Sequence, residues 1–217
     1  MRVMLVDDHR LVREGLRALL EEHDDITVVA QADNGRIAVQ LCPEVTPDIV
    51  LMDVAMPELN GIEATRQITE DCPSTKVIAL SMHSNPRFVT QLLQAGIFGY
   101  ILKDADATEL RQAIDTVMMN RPYFCPQISK IILEDYLGRK SMKIAGLTPF
   151  ELLTARECEV LQLLAEGKST REAAEILFVS VKTIEKHRQQ LMERLDIHSI
   201  AELTRYAIRE GVIPLDF

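Results

Sequence analysis

Tryptophan is absent from the 217 residues, and only 5% are aromatic. So little aromatic surface argues against a domain built to enclose a small organic ligand, because such pockets are lined by apolar and aromatic side chains. Hydrophobic runs are short: none approaches the ~20 residues needed to cross a bilayer. The opening MRVMLVDDHR reaches acids too soon for a signal peptide. These absences point to a soluble, cytoplasmic protein without a membrane partner. The four cysteines, Cys42, Cys72, Cys125 and Cys158, have no C-x-x-C spacing and no His-x-x-x-His beside them, so they read as reduced structural thiols. Positive charge is also lacking. The formal net charge is −9, with 11 Lys and Arg against 19 Asp and Glu over residues 1–121, 4 against 2 over 122–148, and 9 against 12 over 149–217. A basic patch is the usual footprint of a nucleic-acid binder. Any such function must therefore rest on local patterning.

What is present begins with two alternating textures. Short apolar runs, rich in β-branched residues, occur at 3–6, 27–30, 49–52, 77–80 and 100–102. Runs apolar at every position suit strands buried on both faces, as in parallel sheets. Between them lie segments with helical spacing. In the clearest of these, Leu11, Val12, Gly15, Leu16, Leu19 and Leu20 fall on one face; Leu110, Ala113, Ile114 and Val117 repeat the pattern. Five strands alternating with five helices predict a right-handed, doubly wound α/β domain over residues 1–121. Pro122, Pro126, Gly138, Gly146 and Pro149 punctuate a linker, 122–148, with a short helix expected over 128–137.

Residues 149–217 are helical by signature. Thr154-x-x-Glu157, Ser169-x-x-Glu172 and Ser199-x-x-Glu202 each read as a capping box. Gly167 and Gly211 sit where helices end, and Ser180 caps a further helix over 181–194. Four helices are expected in all. Thr148-Pro149-x-Glu151 is a competing start signal, read as a preceding turn. Along 181–194, Val181, Ile184, Leu191 and Leu195 share a face that Arg188 interrupts. Lys182, Glu185, Lys186, Gln189, Gln190 and Glu193 lie opposite. Lys182, Lys186, Arg188 and Arg194 against Glu185 and Glu193 make this stretch locally basic within an acidic segment. Gln and Lys on an exposed helix face match base edges in a major groove, and Lys182 and Thr183 near its start suit phosphates.

In open α/β sheets, ligands bind beyond the carboxyl ends of the strands. Asp7-Asp8, Asp53, Ser81 and Lys103 each stand at such an end. One acid at a strand end is commonly just solvated; the whole set converging on one crevice asks for chemistry. Clustered carboxylates suit a hard divalent cation such as Mg²⁺. A carboxylate is also a competent phosphoryl acceptor, with a cation and an ammonium to neutralise the transferred oxygens.

The pattern Asp7-Asp8, Asp53-x-x-Met56-Pro57, Ser81 and Lys103 resembles the receiver domain of two-component response regulators over residues 1–121. The stretches Leu153-Thr154-Ala155-Arg156-Glu157, Ala165-Glu166-Gly167-Lys168-Ser169 and Val179-Ser180-Val181-Lys182-Thr183-Ile184-Glu185-Lys186-His187 resemble the LuxR-type helix-turn-helix over 149–213. Together they resemble the NarL/FixJ family. The resemblance implies a five-stranded parallel sheet of order 2-1-3-4-5. It implies phosphorylation of Asp53 by a sensor histidine kinase, with Mg²⁺ held by Asp7, Asp8, Asp53 and the main-chain carbonyl of Ala55. Ser81 and Tyr100 would be the switch pair, Tyr100 entering space that Ser81 vacates, and Lys103 would contact the phosphoryl group. Ala55 and His83 occupy positions that tune phosphoryl lifetime in the family. Helix 169–177 would be the scaffold, 181–194 the recognition helix and 199–210 a dimerisation helix. The expected partners are double-stranded DNA, a second copy on activation, and RNA polymerase. The expected catalysis extends no further than the protein's own phosphorylation and dephosphorylation. A Mg²⁺-dependent phosphohydrolase is one competing reading, but such enzymes place a second acid where Ala55 stands; a receiver that works unphosphorylated is another, against which the intact acidic set argues.

Overall fold

The computed structural model describes residues 1–82, 86–141, 150 and 153–213, with backbone only at 135, 136 and 138–141. His83 and most of the Thr148-Pro149-x-Glu151 signal lie outside the described residues. Among the described residues, no helix is long and apolar enough to cross a membrane. The chain packs as two compact units.

The first unit alternates β1 (Arg2–Val6), α1 (Arg10–Glu21), β2 (Thr27–Ala32), α2 (Gly35–Val45), β3 (Ile49–Asp53), α3 (Gly61–Asp71), β4 (Lys76–Ser81), α4 (Pro86–Ala95), β5 (Gly99–Leu102) and α5 (Ala107–Met118). Then come β6 (Tyr123–Phe124) and α6 (Pro126–Ser141). All pairings are parallel, in the order β2-β1-β3-β4-β5-β6. The five expected strands take the expected order. β6 is an addition, a two-residue strand on β5 that begins directly after Pro122. Two residues are too few for the periodicity that betrays a strand in sequence. The helix expected over 128–137 runs longer, as α6.

Strands β1, β3, β4 and β5 are buried nearly throughout, as their unbroken apolar runs require. β2, at the edge of the sheet, is mostly half-exposed. Side chains alternate between the two faces. Val3, Leu5, Ile49, Leu51, Ile78, Leu80 and Ile101 pack with Leu20 of α1 and with Leu110, Ala113, Ile114 and Val117 of α5. The stripe on α1 is only partly used. Leu20 is buried, but Leu11 is 87% exposed and Val12 lies at the surface. The first turn of α1 sits at the sheet edge, where β1 has already ended at Val6 and offers no apolar surface beneath it.

The second unit consists of α7 (Ala155–Ala165), α8 (Thr170–Ile176), α9 (Val181–Leu195) and α10 (Ile200–Glu210). All three capping boxes form, and Ser180 accepts from the Thr183 amide at the start of α9. Each such cap is typically worth ~1 kcal/mol. Gly167 (φ +81°) and Gly211 (φ +76°) adopt the left-handed conformation that ends α7 and α10. One core joins Val160, Leu161 and Leu164 to Ala173, Ile184, Leu191, Leu203 and Ala207. The short α8 followed by the turn Leu177–Ser180 and α9 is a helix-turn-helix.

Candidate functional site

Strand register sets the first site. Val6 pairs with Met52, Asp53 with Leu80, and Ser81 with Leu102. Asp7 and Asp53 therefore end their strands in one row, with Ser81 one row and Lys103 two rows beyond it. Alternation then sorts them by face. Asp7, Asp53 and Lys103 continue the odd-numbered positions that carry Leu5, Leu51 and Ile101. Ser81 continues the opposite side, which it shares with Tyr100.

Asp7 and Asp53 are 1% and 4% exposed. Lys103 joins them, its Nζ 2.6 Å from Asp7 Oδ2 and 2.8 Å from Asp53 Oδ2. Burial pushes the Asp53 carboxyl up to about 6, and the Asp7 and Asp8 carboxylates add to that, although Lys103 works against it. Burial disfavours the Lys103 ammonium, but Asp53 and Asp7 outweigh it and hold the group above its usual range. Asp8 is only partly exposed. Its Oδ1 is shut off from solvent and makes no hydrogen bond. Its nearest charged neighbour is His9 Nδ1 at 2.8 Å, an ion pair only when that imidazole is protonated. Asp7, Asp8, His9 and Asp53 each offer one ligand atom, all within 4.8 Å of one another. Ala55 is exposed in the loop after β3.

Tyr100 is fully buried and shares a hydrogen bond with Ser81; burial raises its hydroxyl above the usual range. The expectation from sequence is that Tyr100 enters space that Ser81 vacates. In this structure the ring is already inside, on the same side of the sheet as Ser81.

Two positioning residues are missing from the set expected from sequence. Asn60 is buried and caps α3 by accepting from the amides of Ile62 and Glu63. Gly61 follows it, and a Cβ there would lie 1.9 Å from the Asp53 carbonyl oxygen. The Gly61 amide donates to Val54 O at 2.9 Å, folding the loop after Asp53 onto the start of α3. The Asn-Gly pair before Ile62-Glu63 is a legible start signal for this helix. His9 is the third omission.

The second site is the outer face of α9. Lys182, Glu185, Lys186, Gln189 and Gln190 are exposed and Thr183 is half-buried, while Ile184 and Leu191 turn inward. Thr183 is less free than its sequence position suggests, because its hydroxyl lies 2.8 Å from Ser180 Oγ. Gln189 donates to Glu193 at 2.9 Å. The local positive charge is smaller than the sequence implies. Arg194 turns back to Glu157 at 2.7 Å, a carboxylate 4% exposed within the first capping box. Lys182 and Lys186 remain as the exposed basic groups of the first two turns.

Residues 3–115 match the family model of the response regulator receiver domain, and residues 151–207 match that of the bacterial regulatory proteins of the luxR family. The chain is 36% identical over 219 residues to the oxygen regulatory protein NreC of Staphylococcus haemolyticus, covering 100% of both. It is 33% identical over 223 residues to the transcriptional regulatory protein DegU of Brevibacillus brevis, covering 97% of this chain and 94% of that one. Among solved structures it is similar to the RcsB response regulator of Salmonella typhimurium, at 27% identity over 95% of this chain and 97% of that one, with a TM-score of 0.58. Another similar structure is a LuxR-family two-component response regulator from Aurantimonas sp., at 40% identity over 63% of this chain and 97% of that one, TM-score 0.59.

Proposed function

The chain belongs to the NarL/FixJ family of two-component response regulators, DNA-binding proteins that join a receiver domain to a LuxR-type helix-turn-helix, and from that premise we propose that Asp53 is its phosphoacceptor and α9 its recognition helix. The receiver spans 1–121, the connecting stretch 122–148 and the DNA-binding domain 149–217. The observation that carries the reading is the bridge from Lys103 to Asp7 and Asp53 at the carboxyl edge of the sheet.

A carboxylate oxygen of Asp53 attacks the phosphorus of a phosphohistidine on a sensor kinase. The O–P bond forms as the P–N bond breaks, and the electron pair leaves with the donor imidazole. Lys103 pairs with the oxygens of the arriving group and moves with them. Asp7 holds Lys103 in place before transfer. The solvent-shielded Asp8 Oδ1, beside Asp7 and Asp53, fits the donor set of a hard cation. Asp7, Asp8, Asp53 and the Ala55 carbonyl would hold Mg²⁺, which when bound neutralises carboxylate and phosphoryl charge. The phosphoryl group brings a charge of about −1.5 to −2 and strong acceptor oxygens. Ser81 then turns its hydroxyl to the phosphoryl group, and the change in its bond to Tyr100 carries the signal to the face around β5. The protein catalyses nothing beyond loading and unloading Asp53.

On α9, Lys186, Gln189, Gln190 and Glu185 read base edges, and Lys182 and Thr183 contact phosphates. A second copy of the chain, assembled on activation, provides the matching half-site reader. RNA polymerase is the further partner of the bound dimer. A solved complex of the response regulator RcsB with DNA, 27% identical over 95% of this chain, supports the DNA-reading assignment.

Intact mass after incubation with acetyl phosphate and Mg²⁺ tests the phosphoacceptor. One added phosphoryl group is expected on the wild type and none on Asp53→Ala. Labelling of the variant would overturn the site.

A further inference from the structure

His9 stands at the N-cap of α1, yet its side chain makes no capping hydrogen bond. Its imidazole points to the acids instead, with Nδ1 2.8 Å from Asp8 Oδ1 and 3.3 Å from Asp7 Oδ1. The two oxygens that Lys103 holds are Asp7 Oδ2 and Asp53 Oδ2, so His9 approaches the set through other atoms. The ring is 68% exposed and can adjust without disturbing the core.

The geometry admits a shared ion. Donors ~2.1 Å from an octahedral metal lie about 3.0–4.2 Å apart. One atom each from Asp7, Asp8, His9 and Asp53 already falls within 4.8 Å of the others. Closing that span needs a contraction of roughly half an ångström, within the reach of an exposed ring and a partly exposed carboxylate. Three carboxylates alone make a hard oxygen site. A neutral imidazole adds a borderline donor, which strengthens binding of the later first-row ions much more than of Mg²⁺.

Resting on the reading of this crevice as a divalent-cation site, we infer that His9 is a fourth side-chain donor, beside Asp7, Asp8 and Asp53, that gives it a preference for nitrogen-seeking transition ions such as Ni²⁺ or Co²⁺ over Mg²⁺. The receiver would then respond to which divalent ion is in supply as well as to its phosphodonor. His9 pairs with Asp7 and Asp8, whereas Lys103 bridges Asp7 and Asp53.

Calorimetric titration of the untagged full chain with Ni²⁺ and with Mg²⁺ tests this, on the wild type, His9→Ala, His9→Asn and Asp53→Ala. The asparagine variant keeps a good N-cap and guards against loss of α1. Ni²⁺ should bind the wild type more tightly than Mg²⁺. Both His9 variants should lose at least about tenfold in Ni²⁺ affinity while Mg²⁺ affinity stays within about twofold. Loss of both ions in step, or no loss of Ni²⁺, overturns the inference and leaves the phosphoacceptor reading standing. Ni²⁺ binding that survives Asp53→Ala puts the ion elsewhere and also overturns it. If the wild type binds neither ion, the cation reading of the crevice falls, and His9 with it.

Discussion

Gly61 shows how closely one residue constrains the acidic site. Its missing side chain lets α3 start against the carbonyl of Asp53, and any Cβ would enter that oxygen at 1.9 Å. Gly61→Ala should therefore force backbone movement at a cost of about 3 kcal/mol, the upper end for overpacking a well-filled interior. Native-state hydrogen exchange of the β3 amides in the full chain would show it; unchanged protection would mean that the loop relaxes freely. Arg194 matters for a different reason. Its guanidinium offsets the buried Glu157 carboxylate. Breaking a buried pair leaves a charge uncompensated, but Arg194 is 40% exposed and Glu157 keeps its capping-box contacts, so Arg194→Ala should cost about 2 kcal/mol rather than more. Thermal unfolding of the helical unit, followed by circular dichroism, measures this. Adding Glu157→Gln should recover part of the loss.

At the level of elements, α1 is legible in sequence as a helix but only in part as a packed one. Apolar spacing identifies the helix, but burial needs a partner surface, and the sheet supplies one only toward Leu20. Gly15 lies in the poorly covered part, with nothing within 4 Å of a would-be Cβ. Gly15→Ala should therefore stabilise α1 by about 1 kcal/mol, because it removes backbone freedom from the unfolded chain without a clash. Slower amide exchange along α1 is the expected readout; faster exchange would reveal a role for the glycine. The helices of the second unit are the most legible elements. Ser or Thr followed three residues later by Glu is a local device, and all three boxes form as expected. β6 carries no such signal, since a two-residue strand is stabilised by its neighbour β5 and not by its own pattern.

At the scale of the whole molecule, a net charge of −9 must be reconciled with a DNA-binding function. The acidic excess is concentrated in residues 1–121, and the basic side chains near the start of α9 are few. Non-specific attraction to DNA should therefore be weak, with affinity depending on a small number of phosphate and base contacts. If Lys186 reads a base, Lys186→Ala should cost about 1–3 kcal/mol of specific affinity and leave the helical unit folded. If it instead meets a phosphate, the slope of log affinity against log salt should shrink by about one. Fluorescence anisotropy across a salt series separates these results, and unchanged affinity and slope would remove Lys186 from the interface.

The amino-acid order alone disclosed five strands, their alternation with helices, the capped helices of the second unit and the acids at strand ends. Each of these is written in local periodicity or in a cap a few residues long. Only the tertiary structure revealed that Lys103 spans Asp7 and Asp53, that Tyr100 already lies inward against Ser81, that Arg194 is drawn to Glu157, and that His9 faces the carboxylates. Most of these contacts join residues far apart in the chain. Even the nearest, His9 with Asp8, depends on where a side chain turns. They follow from strand register, from alternation between the faces of the sheet and from the fold of the helices, none of which is stored in any short stretch of sequence.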